Sequence, residues 1–326
     1  MWKIAQCAVP GKSHMKANIP CQDKTSVFIK NGVTVVALAD GAGSASLSHY
    51  GAEFIAKFIC EDIADNFIHY IKTVDGRMVK LDIMKKVKQS LCDLSIEHHC
   101  DINDLASTLL SVAEKDGEFI LIHIGDGLIG CVQNNEVKVL SRPENKDFAN
   151  VTVFSTSLDA VSTMKLVKGR IDDISGFVLM SDGTEASLYD KRRRTLPDVI
   201  IRLLDYCRIM PTNEFEKQLT DSFWETVREA TTDDCSIILV ANDSKSYQYL
   251  NWSLEKQARF WNVSVNKSKK TLKTYNRILK AITIQRDLNA ISRIVYIKPK
   301  YLKRHLNALL EKNMIEKKGF LYKSLI

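Results

Sequence analysis

Val33-Thr34-Val35-Val36-Ala37-Leu38-Ala39-Asp40-Gly41-Ala42-Gly43-Ser44 is the stretch whose reading decides the rest. Val33 to Ala39 is apolar and mostly β-branched, so it reads as a strand buried on both faces. It stops on Asp40. A carboxylate at the end of a buried strand is costly unless something pairs with it. Gly41 and Gly43 then allow a tight turn with room for a ligand to approach. A carboxylate on a rigid strand, facing a small open turn, suits a hard divalent cation. The plain alternative is an Asp-Gly turn between two elements.

Working outward, Thr25 to Lys30 is a second strand, and Asn31-Gly32 is a two-residue hairpin signal. Asp23 therefore precedes one arm of a hairpin and Asp40 follows the other. This spacing makes the two carboxylates neighbours. Lys3 to Val9 reads as a strand ended by Pro10-Gly11, and Lys12 to Pro20 as a polar loop. Ser46 or Ser48 can cap a helix running to about Tyr70. Leu81 to about His98 has helical spacing of apolar residues.

Further on, Ala106–Ala113 and Glu118–Ile124 form a hairpin, as do Leu128–Gln133 and Glu136–Leu140 across Asn134-Asn135. Arg142 to Val161 reads as a surface flap. Gly176–Met180 is a short strand, followed by helices over about Pro197–Cys207 and Asn213–Glu229 and a last strand, Cys235–Ala241. Strand run, two helices, strand run, two helices and a closing strand predict an α+β protein: a four-layer αββα sandwich of two mainly antiparallel sheets.

Asp recurs where strands begin or end: Asp23, Asp40-Gly41, Asp126-Gly127, Asp182-Gly183 and Asp233-Asp234. Carboxylates gathered in one sandwich repel unless cations lie between them. All-oxygen ligation suits Mg²⁺ or Mn²⁺. Two such ions about 4 Å apart can activate a water and clamp a phosphoryl group.

At these residues the chain resembles the metal-dependent type 2C serine/threonine protein phosphatases, in their compact bacterial branch. The resemblance covers about Trp2 to Ala241. Its motifs, in family order, are Gly11-Lys12-Ser13-His14 with Pro20-Cys21-Gln22-Asp23, then Ala39-Asp40-Gly41-Ala42-Gly43-Ser44. Ala106-Ser107-Thr108 with Ile124-Gly125-Asp126-Gly127, Met180-Ser181-Asp182-Gly183, and Thr232-Asp233-Asp234-Cys235-Ser236 complete the set. The resemblance implies that Asp40 bridges two core metals, with the Gly41 carbonyl on the second and Asp182 and Asp233 on the first. It implies a third, weaker metal at Asp126 and Asp182, and places Asp23 near the metal-bound waters. The implied reaction is direct hydrolysis of phosphoserine or phosphothreonine without a phosphoenzyme, catalysed chiefly through Asp40 and Asp182. The implied partners are a phosphorylated protein and an opposing Ser/Thr kinase.

Three positions depart from the familiar pattern. Gln22 stands where many members have a metal-binding Glu; its amide oxygen can still ligate but brings no charge. Ala42 stands where animal members carry a His proposed as general acid. His14 takes the place of the family's phosphate-binding Arg. It either binds phosphate, protonates the leaving oxygen, or is a loop histidine held by a hydrogen bond. The rival reading is a catalytically weak, phosphatase-like binding module that acts as a regulator.

Composition supplies the outer bounds. The 326 residues are 45% hydrophobic and 26% charged, ordinary for a globular protein. No run approaches the roughly 20 apolar residues of a membrane span, and Met1-Trp2-Lys3-Ile4 lacks a signal-peptide pattern. No membrane partner and a cytoplasmic location follow as expectations. The eight cysteines contain no CxxC pair and read as reduced residues.

The net charge of +7 hides an asymmetry. From Leu250 onward there are 18 Lys and Arg against 4 Asp and Glu; the preceding residues hold 28 against 35. This predicts two domains, 1–245 for the phosphatase resemblance and 250–326 as a basic accessory domain. In the second, Leu272–Ile284, Leu288–Ile294 and a helix from Pro299 precede strands at Met314–Lys317 and Phe320–Ser324, similar to a winged helix. Lys300, Lys303, Arg304, Lys317 and Lys318 are its candidate contacts to DNA or a protein partner. Lys191-Arg192-Arg193-Arg194 reads most simply as a solvated loop, with the holding of a phosphorylated substrate as the alternative.

Overall fold

The computed structural model describes residues 2–134, 136–143, 152–171, 174–242, 249–312 and 314–324. In chain order, β1 (Trp2–Val9), α1 (Lys12–Ala17), β2 (Asp23–Lys30) and β3 (Val33–Asp40) lead to the long helices α2 (Ser48–Lys72) and α3 (Gly76–Glu97). Four strands follow: β4 (Leu109–Lys115), β5 (Glu118–Ile124), β6 (Leu128–Gln133) and β7 (Glu136–Ser141). Then come α4 (Ala160–Thr163), β8 (Lys165–Arg170), β9 (Ile174–Met180), α5 (Asp182–Leu188), α6 (Val199–Ile209), α7 (Thr212–Glu225) and β10 (Cys235–Asn242). The remainder contains α8 (Leu254–Phe260), α9 (Val265–Ala281), β11 (Arg286–Asp287), α10 (Leu288–Val295), α11 (Pro299–Glu311), β12 (Ile315–Lys318) and β13 (Leu321–Ser324).

Two five-stranded sheets, ordered β2-β3-β4-β5-β8 and β1-β10-β9-β6-β7, pair antiparallel throughout. The first is built from two tight hairpins. Asn31-Gly32 and Asp116-Gly117 both have positive φ at each central residue, which matches the right-handed twist of the flanking strands.

Strand β3 is central and buried on both faces, as its composition predicts. Val33, Val35, Ala37 and Ala39 pack with Ile55, Ile59 and Ile63 of α2. Val36 and Leu38 face the other way, into the core between the sheets, with Ile129, Leu179 and Ile238. Each such side chain contributes about 1.5–3 kcal/mol on burial. On the far side of the second sheet, Cys7, Val178, Ile237 and Leu239 pack with Ile200 and Leu204 of α6 and Phe215 and Leu219 of α7. The result is the predicted αββα order of layers.

Several local expectations change. Lys12–Ala17 is a short helix, not a loop; it has no buried residue and so no apolar period to reveal it. Neither serine caps α2: Ser46 donates to Asp104, and Ser48 accepts from Gln22. Strand β8 and helix α8 have no counterpart in the sequence reading. Residues 144–151 of the expected flap, and Asn135 of the expected hairpin turn, lie outside the described residues. All eight cysteines are free. Among the described residues no helix is long and apolar enough to cross a membrane.

Helices α8 to α11 and a three-stranded sheet ordered β11-β13-β12 surround a third core, with Leu272, Ile278, Ile291, Leu302, Leu306 and Tyr322. That core is joined to α6. Ile209 of α6 belongs to it, and the Tyr206 ring packs tilted against Phe260, with centroids 4.9 Å apart. Buried Asp205 pairs with Arg208 at 2.7 Å and with Lys256 of α8 at 3.4 Å. Lys312, just past α11, donates to the Tyr206 hydroxyl at 2.8 Å.

Candidate metal centre

The hairpin register sets Asp23 directly across from Asp40, as the spacing predicts. Facing residues in an antiparallel pair have Cα atoms about 4.5–5.5 Å apart. The strand end is held from the other side by Thr108, just before β4: the Asp40 N–H donates to the Thr108 hydroxyl at 2.9 Å, and the Thr108 N–H donates to the Asp40 carbonyl at 2.8 Å. The Gly41 N–H donates to the Gln22 carbonyl at 3.2 Å. Asp40 is thus fixed by its backbone, leaving its carboxylate to face the opening.

Asp126 arrives on the turn between β5 and β6. Gly125 precedes it with φ of +109°, a conformation that L side chains rarely adopt, and a Cβ there would strike Thr108. His123 supports the turn from below. Burial lowers its pKa to about 4, so the ring is neutral at pH 7. Its Nε2 lies 3.0 Å from the Gly125 carbonyl and donates to it; Nδ1, 2.6 Å away, accepts from the Ser141 hydroxyl. Thr152 donates to the Asp126 carboxylate at 2.5 Å.

Asp182 opens α5 immediately after β9. Gly183 lets this turn approach the start of β10: a Cβ there would lie 2.0 Å from the Asp234 carbonyl. One oxygen each from Asp40, Asp126 and Asp182 fall within 4.8 Å of one another. Asp233 lies outside this set but close enough that its charge raises the pKa of both Asp40 and Asp182.

The electrostatics are those of a site built for cations. Burial, then the charges of Asp23, Asp182, Asp233 and Asp126, hold the Asp40 carboxyl well above the usual range. Burial, then Asp126 and Asp233, push Asp182 up to about 6. Asp23, only 2% exposed, is pushed up to about 7 by burial and by the charges of Asp234 and Asp182. The hydroxyls of Ser181 and Ser236 oppose that shift without forming hydrogen bonds of ordinary geometry. Both Asp23 oxygens, Asp182 Oδ1 and Gln22 Oε1 are buried without a partner among the described residues. Orphaned oxygens at this density cost about 1–3 kcal/mol each, and a hard divalent cation removes that cost. The donor set fits Mg²⁺ or Mn²⁺.

Gln22 is turned so that its Nε2 donates to Ser48 at 2.8 Å, leaving its oxygen free. His14 sits on α1 with Nδ1 2.9 Å from Asp234 Oδ1. Asp234, itself 2% exposed, accepts the Gly11 N–H at 2.6 Å through one oxygen and the Gln22 N–H at 2.6 Å through the other. It ties the His14 segment and the Gln22-Asp23 segment to the start of β10. Neither this role nor that of His123 is visible in the sequence. Glu185, one turn after Asp182 and buried, also feels the Asp182 and Asp126 charges. Lys191 to Arg194 are exposed, as expected.

Residues 10–223 match the sequence profile of protein phosphatase 2C. The chain belongs to the protein phosphatase 2C family. Serine/threonine-protein phosphatase 3 of Escherichia coli (strain K12) is 24% identical over 189 residues, 54% of this chain and 72% of that protein. A bacterial serine phosphatase superposes on 74% of this chain and 98% of its own, with a TM-score of 0.53 and 13% identity. The S. agalactiae serine/threonine phosphatase covers 74% of this chain and 99% of its own, with a TM-score of 0.51 and 15% identity. Serine/threonine phosphatase Stp1 from Staphylococcus aureus covers 74% and 95%, with a TM-score of 0.51 and 13% identity. At these identities the structural likeness is one of fold, and it agrees with the αββα layering.

Proposed function

We infer that the protein is a metal-dependent serine/threonine protein phosphatase whose centre is the Asp40–Asp126–Asp182 cluster. The observation that carries this is the convergence of three carboxylates from three separate strand ends, with unpartnered oxygens of Asp23, Asp182 and Gln22 beside them. Asp40, Asp182, Asp233 and the Gly41 carbonyl would hold two core Mn²⁺ or Mg²⁺ ions, with Gln22 and Asp23 at their edge and Asp126 with Asp182 holding a third. Bound there, the ions supply a nucleophilic water at neutral pH and neutralise charge on the phosphoryl group.

The chain's own residues do the rest. Thr108 and the β2–β3 register fix Asp40, and His123 and Thr152 fix Asp126. Asp234 holds the start of the His14 helix through the Gly11 N–H and lies 2.9 Å from His14 Nδ1; the ring's Nε2 would serve a substrate phosphate or the leaving oxygen. The substrate is a phosphorylated protein, so the enzyme opposes a Ser/Thr kinase. The chain divides into a phosphatase domain over 1–245 and an accessory domain over 250–326 that docks a macromolecule, DNA or protein.

The test is hydrolysis of a phosphoserine or phosphothreonine peptide by purified protein with Mn²⁺ or Mg²⁺ and with chelator. Metal-dependent turnover that Asp182→Asn abolishes is the expected result. Equal turnover in that variant would overturn the assignment.

A further inference from the structure

The strongest feature outside the metal centre is the outer surface of α11 and the β12–β13 hairpin. Leu302, Leu306 and Leu309 turn inward and are fully buried. The opposite face carries Lys300, Lys303, Arg304 and Asn307, spaced i, i+3, i+4 and i+7, all exposed. Exposed Lys298 precedes it. Among the described residues, none of these four cations has a carboxylate partner. Tyr301, 62% exposed, stands beside them. The adjoining hairpin presents Lys317, Lys318 and Lys323, with Phe320 89% exposed at its tip. Its single acidic residue, Glu316, is paired with Lys318 at 3.2 Å.

A solvated charged face needs neither unpaired cations on one stripe nor bare aromatic rings among them. The placement matters too. Lys312, beyond the C-terminal end of α11, is bound to Tyr206 of α6, so the free cations lie towards the helix's other end. A 13-residue helix is about 20 Å long, and the DNA major groove is about 12 Å wide and admits a helix. Unpaired Lys and Arg bind phosphates; Asn307 and Arg304 carry the donor patterns that read adenine and guanine edges.

We propose that this face binds duplex DNA, with the Lys300–Asn307 stripe of α11 in the major groove and the β12–β13 hairpin on the neighbouring backbone. The site is separate from the metal centre and does not depend on phosphatase activity.

The experiment titrates a short fluorescent duplex with the full-length protein, followed by anisotropy, between about 50 and 200 mM salt. A triple variant, Lys300→Glu with Lys303→Glu and Arg304→Glu, is compared with Arg192→Ala/Arg193→Ala/Arg194→Ala in the exposed loop after α5. Thermal unfolding checks that each variant is folded. The α11 variant is expected to bind at least tenfold more weakly, with the slope of log affinity against log salt reduced by about 2–3. The loop variant is expected to bind as wild type does. The proposal is overturned if wild type does not bind at low salt, or if the loop variant loses binding and the α11 variant keeps it. Equal binding by a polyglutamate peptide would also overturn it, since that would mark a face for acidic protein.

Discussion

The two charged regions of this molecule handle charge in opposite ways. The metal centre concentrates carboxylates at the ends of rigid strands, where burial and mutual repulsion raise the pKa of Asp40, Asp182 and Asp23. The α11 face spreads cations over solvent, each on a long flexible stem. Concentrated buried charge is paid for by the fold and is worth the cost only if an ion relieves it. Spread, solvated charge costs little and acts at a distance. Enzyme chemistry belongs to the first arrangement and reversible attachment to the second.

The largest expected effect is at the metal centre. Asp182→Asn is expected to reduce metal-dependent phosphopeptide hydrolysis by on the order of 10³-fold, about 4 kcal/mol of transition-state stabilisation. The same variant should melt at a higher temperature than wild type in chelator, because it removes repulsion among Asp40, Asp126 and Asp233. Unchanged kcat/KM, or a lower melting point in chelator, would mean that Asp182 is not part of a strained cluster.

Next is the joint between the two regions. Arg208→Ala leaves Asp205 buried with Lys256 as its remaining cation. The expected cost is about 3 kcal/mol in urea unfolding, the low end for breaking a buried pair. A loss below about 1 kcal/mol would show that the joint is a solvated contact. A smaller effect belongs to Asp234→Asn, where one acceptor of the bonds to the Gly11 and Gln22 N–H groups becomes a donor. About 1–2 kcal/mol of stability should go, with a fall in kcat, as His14 and Gln22 lose their shared anchor. Full activity here would detach His14 from the reaction.

The smallest effect is a pH dependence. Carboxyls with raised folded-state pKa values favour the fold when protonated. In chelator that stability is complete below about pH 4 and is lost as pH rises through about 6 for Asp182 and about 7 for Asp23. Melting temperature in chelator should therefore drop by a few degrees between pH 5 and pH 8, and Mn²⁺ should flatten that part of the curve. A curve unaffected by Mn²⁺ would place the titration elsewhere.

The acidic site was largely legible because its signals are local. A strand that is apolar at all positions but Thr34, then Asp-Gly, can be read without knowing what it touches. The Asn31-Gly32 turn even fixes which carboxylate faces Asp40. What could not be read depends on partners far along the chain. Asp234 looks like a second copy of Asp233, yet its oxygens hold Gly11 and Gln22, more than 200 residues away. His123 reads as one more strand residue until Ser141 and Gly125 are placed around it. Helix α1 buries nothing and so leaves no period. The joint of Asp205, Arg208 and Lys256 links α6 to α8, a helix with no counterpart in the sequence reading.

That joint also sets the spacing between the two charged regions. Because Tyr206, Asp205 and Lys256 fix the third core against α6, whatever the α11 face holds stays at a set distance from the metal centre. Under the two proposals above, a phosphoprotein bound near DNA held by α11 would meet the metal centre at an effective concentration set by geometry and not by its abundance.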